Sequence, residues 1–376
     1  MNFIPYGKQS IDKKDISSVM EVLKSDFLTT GSKVQEFEKA LCKYTGAKYC
    51  VSVSNGTAAL HLASRILLQE NDEVLTTPNS FLATSNAILY AKAKPIFVDI
   101  SKDGNIDLDL CEKELKKNSN IKAIYAVHFS GKVVNQKKLK YLKEKYNIKI
   151  LEDCAHSLGG SFKNIKAGSC KNSDISILSF HPVKHITTGE GGAITTNSKK
   201  LYKKLLLLRN HGIKANPKIA PWHYDMLELG FNYRLTDISC ALGISQLKKL
   251  DSFLEKRRTL VKRYENAFKK LDFIKPLYPY DKGSAYHLFV VKFDFKKLNI
   301  TKKDFVLKMR EKNIGLQYHY IPINKQVFYK NLGYGEEKTP KMDKYYKKAI
   351  SLPLYPTLGF QEQDYVIRCI KEILNE

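Results

Sequence analysis

Three segments place residues that could do chemistry directly after apolar runs. Lys184 follows ISILSF and precedes a glycine-rich turn, Asp153 ends IKILED, and residues 54–57, Ser-Asn-Gly-Thr, follow YCVSV. A buried strand holds such a side chain rigidly. Strands of a parallel sheet present their carboxyl ends at one edge, where ligands of such sheets bind. The three segments are therefore candidate parts of a single site.

Lys184 is the candidate nucleophile. A lysine attacks a carbonyl as the neutral amine, so its pKa must be lowered by desolvation or by a cationic neighbour. Placement at a strand end favours desolvation, and Gly189, Gly191 and Gly192 give the following loop backbone freedom. The alternative is that Lys184 is an ordinary exposed lysine in a lysine-rich chain.

Asp153 is the candidate carboxylate of the site. A carboxylate at the mouth of a buried strand is costly unless something pairs with it, and a protonated ring nitrogen is one such partner. A helix N-cap or a surface salt bridge would also account for an aspartate at this position.

Gly56 and Thr57 begin a helical pattern rich in Ala and Leu. The free N–H groups and the positive dipole end of that helix point into the preceding loop. Gly56 lacks a side chain that would block close approach, and Thr57 adds a hydroxyl, so the segment predicts a phosphate cradle. A simple helix cap is the alternative.

The elements that position these residues form a repeating pattern. Short apolar runs alternate with helical patterns through the first two-thirds of the chain, which predicts βαβ units around a mostly parallel sheet. A helical pattern from Leu235 to about Leu271 should carry the chain into a smaller α+β part. We expect a large domain over residues 1–250 and a small C-terminal domain over residues 251–376.

Composition limits the function classes. The formal charge of +25 is compatible with nucleic-acid binding, but Arg is scarce beside Lys, and the lysines alternate with acids as on solvated helix faces. The seven cysteines form no CxxC pair and no zinc-type cluster, so neither a metal site nor a disulfide framework is expected. The sequence shows no signal-peptide pattern and no membrane-span window, and we expect a cytoplasmic protein.

Motifs along nearly the whole chain resemble the DegT/DnrJ/EryC1/StrS sugar aminotransferases. They include LTTGSKVQEFE, SNGTAALHLA, EDCAHSLGG, SFHPVKHITTGEGGAI, GFNYRLTDISCALGISQLKKLD and QYHYIP. The resemblance implies the fold-type I, aspartate aminotransferase-like architecture: a large domain with a mostly parallel sheet plus a smaller C-terminal α+β domain. Within the family, FHPVK and QYHYIP are most similar to the aminotransferases of pseudaminic acid biosynthesis.

The resemblance also implies the roles of individual residues. Lys184 would bind the aldehyde of pyridoxal 5′-phosphate (PLP), and Asp153 would pair with its ring nitrogen. Phe81 would stack on the ring, and His156 would lie near its phenolic oxygen. The phosphate contacts would come from Gly56, Thr57, Ser179 and, from a neighbouring subunit, Asn232, which implies a homodimer. The substrate-contacting positions correspond to Tyr6, Phe27, Leu28, Thr29, Thr30, Gln317, Tyr318, His319 and Tyr320. Tyr318 stands where close relatives tend to carry a smaller aliphatic residue.

The implied activity is transfer of an amino group from glutamate to C4 of a UDP-linked 4-keto-6-deoxy-N-acetylhexosamine. Another nucleotide-sugar 3- or 4-aminotransferase is the first alternative. Relatives that dehydrate a sugar carry histidine at the lysine position, so Lys184 argues against dehydration. A basic nucleic-acid-binding protein is the alternative from another class, and it is disfavoured because the sequence shows no recognised nucleic-acid module.

Overall fold

The computed structural model describes residues 2–375. The helices are α1 (Lys13–Leu23), α2 (Ser32–Thr45), α3 (Gly56–Leu67), α4 (Leu82–Tyr90), α5 (Leu108–Lys117), α6 (Gln136–Tyr146), α7 (Lys199–Arg209), α8 (Asp237–Leu247), α9 (Leu250–Phe268), α10 (Lys302–Glu311), α11 (Val327–Asn331), α12 (Pro340–Lys348) and α13 (Phe360–Asn375). The strands are β1 (Tyr49–Val53), β2 (Glu73–Thr76), β3 (Lys94–Phe97), β4 (Ile121–Val127), β5 (Lys149–Asp153), β6 (Ser161–Phe162), β7 (Ile165–Lys166), β8 (Ile175–Ser179), β9 (Gly192–Thr196), β10 (Ile213–Ala215), β11 (Tyr224–Met226), β12 (Ile274–Pro276), β13 (Phe289–Phe293) and β14 (Ala349–Leu352).

A seven-stranded sheet in the order β1-β9-β8-β5-β4-β2-β3 forms the centre of the fold. Strand β9 is antiparallel to both its neighbours, and the other pairs are parallel. The expected mostly parallel sheet is confirmed. The carboxyl ends of β1, β5 and β8 therefore lie at one edge, together with the start of β9.

The strands of this sheet are apolar on both sides, so both faces must be covered, and helices cover them. Leu62 of α3 and Ile177 of β8 belong to one buried core, and Leu139 of α6 and Ile150 of β5 belong to another. Helix α3 begins where the Asn55 side chain accepts a hydrogen bond from the Ala58 N–H at 2.8 Å. This cap fixes the point at which β1 turns into α3 at the ligand-binding edge.

The C-terminal part contains an antiparallel sheet, β12-β13-β14, with its own core. The start of the chain joins this part: Ile4 is fully buried in that core and pairs with Ile314, and the Leu354 N–H donates to the Tyr6 carbonyl at 3.0 Å. The domain boundary at residue 250 stays a prediction. The first residues of the chain pack with the C-terminal part, although the prediction assigns them to the large domain.

The prediction of one continuous helix from Leu235 to about Leu271 is wrong. The structure has two helices, α8 and α9, which meet at Lys248 and Lys249. Lys249 turns its ammonium toward α1, where it lies 2.5 Å from Asp15 and 2.9 Å from Asp12. The local sequence does not predict the break, because it contains neither proline nor glycine there and the ion pairs join segments that are distant in sequence.

Across residues 2–375, none of the helices combines the length and apolar character needed to cross a membrane.

Candidate active site

A cavity of about 630 Å³ opens at the carboxyl edge of the central sheet. It brings together most of the residues that the sequence singled out, from the beginning, middle and end of the chain. These are Tyr6, Gly56, Thr57, Phe81, Asp153, His156, Ser179, Lys184, Gln317, Tyr318, His319 and Tyr320. The strand-end residues therefore share one cavity with residues 317–320, which follow α10 and are predicted to contact the substrate.

Within the part of the chain that the structure describes, Asn232 and residues 27–30 lie outside this cavity. Asn232 is exposed and pairs through its backbone with Asn210, and Phe27 keeps 62% of its surface exposed. Thr30 lines a second cavity of about 640 Å³, which holds the Glu38–Arg209 ion pair and none of the strand-end residues named above. The roles expected for Asn232 and for residues 27–30 stay predictions.

Lys184 is half-buried on the cavity wall, in the loop between β8 and β9. Its backbone N–H donates to the His181 carbonyl at 2.9 Å, which fixes the turn that presents the side chain. Desolvation lowers the pKa of Lys184 to about 8, against the opposing attraction of Asp153. With this pKa, about a tenth of Lys184 is the neutral amine at pH 7, far more than for an ordinary lysine, and the neutral amine is the form that a nucleophile or a general base needs.

Asp153 is buried at the end of β5, and its carboxylate is held by two donors. The Ala155 N–H donates to Oδ1 at 3.1 Å, and the Thr84 hydroxyl donates to Oδ2 at 2.7 Å. Since Thr84 has a single hydroxyl proton, the Ser80 hydroxyl, 2.7 Å away, must donate to it in turn. Helix α4 therefore fixes the direction of the carboxylate through a short hydroxyl chain.

The turn between β1 and α3, which the sequence predicts to be a phosphate cradle, lines the cavity beside β8. A Cβ built on Gly56 would lie 3.1 Å from Ser179 Cβ and 3.2 Å from its hydroxyl, so a side chain at Gly56 would fill the space between the turn and β8. A Cβ on Gly192 would meet the Asn55 carbonyl at 2.5 Å, so β9 packs directly against the turn. The first N–H groups of α3 and the hydroxyls of Thr57 and Ser179 suit a phosphate ester.

His156 lies on the cavity wall and is held by residues from the C-terminal part. Its Nε2 is 3.2 Å from the Tyr320 hydroxyl, and its ring contacts that of His287 at 4.3 Å between centroids. Desolvation, with Lys184 nearby, holds the pKa of His156 well below its usual value, so the imidazole is neutral. Its Nδ1 is buried without a hydrogen-bond partner among residues 2–375, which leaves that atom for a bound group.

His319 and Gln317 are fixed in the segment between α10 and α11. The His319 ring is 2.8 Å from the Ser351 hydroxyl through Nδ1, and Gln317 pairs through its backbone with Ser351 of β14. Desolvation lowers the pKa of His319 to about 3, so its imidazole is also neutral. Tyr318 is 38% exposed at the cavity, and the Lys302 ammonium lies 5.1 Å from its ring centroid.

Sequence reasoning missed Ser80, Thr84 and His287. Serine and threonine at a helix start are typical of ordinary caps, so Ser80 and Thr84 give no functional signal in the sequence. His287 carries no local signal, because it lies in the C-terminal part and reaches the cavity through long-range contacts; the Leu288 N–H beside it donates to the Ser130 carbonyl at 3.3 Å.

The sequence profile of the DegT/DnrJ/EryC1/StrS aminotransferase family matches residues 9–371. The chain belongs to this family. A UDP-4-amino-4,6-dideoxy-N-acetyl-beta-L-altrosamine transaminase of Campylobacter jejuni (strain 81-176) is 43% identical over 375 residues, covering 99% of this chain and 98% of that protein.

Solved structures of DegT/DnrJ/EryC1/StrS aminotransferases share the fold. Helicobacter pylori PseC, an aminotransferase of pseudaminic acid biosynthesis, superimposes with a TM-score of 0.94 at 32% identity, covering 100% of both chains. The putative sugar aminotransferase Spr1654 of Streptococcus pneumoniae superimposes with a TM-score of 0.90 at 29% identity, with 99% of each chain covered, and has been solved in its PLP and PMP forms. The expected family, the fold-type I architecture and the PLP class of aminotransferase are confirmed.

Proposed function

We propose that this protein is a PLP-dependent nucleotide-sugar aminotransferase that moves an amino group from glutamate to C4 of a UDP-linked 4-keto-6-deoxy-N-acetylhexosamine. The observation that carries the proposal is the meeting of Lys184, whose pKa is lowered to about 8, with the oriented carboxylate of Asp153 in one cavity. The similarity to transaminases of UDP-linked 4-amino sugars supports the substrate class.

The residues of the cavity fit PLP. The cradle of Gly56, Thr57 and Ser179 would take the phosphate, and the unpartnered Nδ1 of His156 would be available to the phenolic oxygen. Asp153 would hold the proton on the ring nitrogen, and Lys184 would bind the aldehyde. When bound, PLP supplies the electron sink that the chemistry needs.

The protein's own groups then have defined tasks. Lys184 Nζ would remove the proton from Cα of glutamate as general base, and would deliver a proton to the sugar carbon that receives the amine. Its pKa near 8 lets the same amine accept and release that proton at neutral pH. Thr84 and Ala155 hold Asp153 in one orientation, so the carboxylate need not reorganise during the reaction.

We further propose that the active unit is a homodimer and that Tyr6, Gln317, Tyr318, His319 and Tyr320 contact the sugar. All five line the cavity from segments outside the central sheet. Asn232 and residues 27–30 would contribute to the site of a neighbouring subunit, since in their own chain they lie away from the cavity.

The test is a product assay. The PLP-loaded protein is incubated with glutamate and with UDP-linked 4-keto or 3-keto 6-deoxy-hexosamines, and the products are identified by mass spectrometry and by NMR of the aminated carbon. We expect amination at C4 of the 4-keto sugar and none with Lys184→Ala. Amination at C3 alone would move the protein to another branch of the family, and absence of any aminated sugar would refute the proposal.

A further inference from the structure

His287 has the closest ring contact with His156 and has no assigned role. The two centroids are 4.3 Å apart, whereas the rings of Phe129 and Tyr320 lie 6.1 Å from that of His156. His287 is 4% exposed, and it lines the cavity together with His156. Its position cannot come from local sequence, because it precedes β13 in the C-terminal part while His156 follows β5.

The backbone at His287 is held by a buried cation. Arg257 of α9 is 1% exposed, and its guanidinium donates to the carbonyls of Tyr286 at 3.3 Å, His287 at 3.2 Å and Leu354 at 2.8 Å. Burying a guanidinium is costly, so these hydrogen bonds must persist for the fold to be stable. They fix the backbone from which the His287 ring reaches the cavity.

His156 is thus held from two directions. The Tyr320 hydroxyl lies 3.2 Å from Nε2 at the ring edge, and His287 packs on the ring itself. Both imidazoles are buried, and Nδ1 of each lacks a hydrogen-bond partner among the described residues. With its edge and its ring both in contact, His156 has little freedom to turn its Nδ1 away from a bound group.

We propose that His287 is a positioning residue that orients His156 toward the bound cofactor. The proposal rests on the function proposed above, because it assumes that the group beside His156 is PLP. The proposal specifies how the two residues are coupled: His287 contributes to PLP affinity only when His156 is present. A residue that only fills space would contribute independently of His156.

The test is a double-mutant cycle on cofactor affinity, measured by titrating cofactor-free protein with PLP and following the visible absorption band. Aromatic contacts of this kind contribute enough for His287→Ala to weaken binding about three- to tenfold. His156→Ala should weaken binding at least as much. The variant with both changes should bind no more weakly than His156→Ala alone. Equal losses for His287→Ala in the two backgrounds would overturn the proposal, and so would wild-type affinity of His287→Ala.

Two further measurements keep the result interpretable. His287→Phe retains a ring and should bind PLP within about twofold of wild type, whereas His287→Asn should behave like His287→Ala, and the reverse order would overturn the proposal. Thermal unfolding of each cofactor-free variant separates misfolding from weakened binding; if His287→Ala does not fold, the Phe and Asn variants decide. The titration involves no amino transfer. A wild type that binds PLP but aminates no sugar would therefore refute the proposed function, while the double-mutant cycle would still decide whether His287 acts through His156. A wild type that takes up no PLP overturns both.

Discussion

Replacing Thr84 with valine should slow the reaction without changing any residue that the sequence analysis named. Valine keeps the shape of threonine but removes the hydroxyl that donates to Asp153 Oδ2 at 2.7 Å. It also leaves the Ser80 hydroxyl without its acceptor. Thr84 is 1% exposed, so the valine side chain leaves little room for a water molecule to take the place of the lost donor.

The size of the effect follows from the type of bond. A hydrogen bond to a charged group contributes about 1.5–3 kcal/mol, and each 1.4 kcal/mol is about a factor of ten. If that energy serves to orient Asp153 toward the cofactor, Thr84→Val should lower kcat/KM for glutamate roughly 10- to 100-fold. Thr84→Ser keeps the hydroxyl and should stay within about threefold of wild type.

The assay is the glutamate half-reaction, followed by stopped-flow absorbance on the loaded protein. Ser85→Ala is the matched control: Ser85 is the next residue of α4, and its hydroxyl bonds to that of Tyr329 at 2.7 Å. Its loss should lower the melting temperature but leave the half-reaction unchanged. A Thr84→Val variant that is folded, binds PLP and reacts at the wild-type rate would refute the view that α4 orients Asp153.

Two further predictions concern the reacting groups themselves. Asp153→Asn should lower turnover about a hundredfold or more while the protein stays folded. The amide oxygen can still accept a hydrogen bond from Thr84, but the neutral amide cannot hold a proton on the ring nitrogen. Circular dichroism checks the fold and steady-state kinetics the turnover, and near-normal turnover would contradict the prediction. Because desolvation lowers the pKa of Lys184 to about 8, the neutral amine gains as pH rises through that value, so the rate of PLP capture by the cofactor-free protein should climb and level off above about pH 8. A rate that keeps rising toward pH 10, measured against capture by a free alkylamine, would show that Lys184 titrates as an ordinary exposed lysine.

The placement of Lys184, Asp153 and Gly56 at one edge could be predicted because it depends on a local regularity. Alternating apolar runs and helical patterns specify parallel strands, and parallel strands share a carboxyl edge. The structure shows the Asn55 cap at the start of α3, and the phosphate cradle of Gly56 and Thr57 at the same helix start stays a prediction.

What could not be predicted depends on contacts between distant segments. Strand β9 runs antiparallel in an otherwise parallel sheet, and its sequence, GAITT, is buried throughout and carries no sign of its direction. At the break before α9, Lys249 pairs with Asp15 of α1, which is distant in sequence. Likewise, the contact between His287 and His156 joins distant segments, with Arg257 of α9 holding the backbone ahead of β13.

The visible absorption spectrum of the purified protein with PLP, recorded before and after glutamate, tests the central claim most directly. We predict a visible band that reports the cofactor bound to Lys184 and that glutamate abolishes in favour of a near-ultraviolet band. Lys184→Ala cannot form that linkage, and glutamate should not convert the PLP added to this variant to the near-ultraviolet form. A wild-type protein that shows no such band, or a Lys184→Ala variant that converts as wild type does, would contradict the assignment of this cavity as an aminotransferase site.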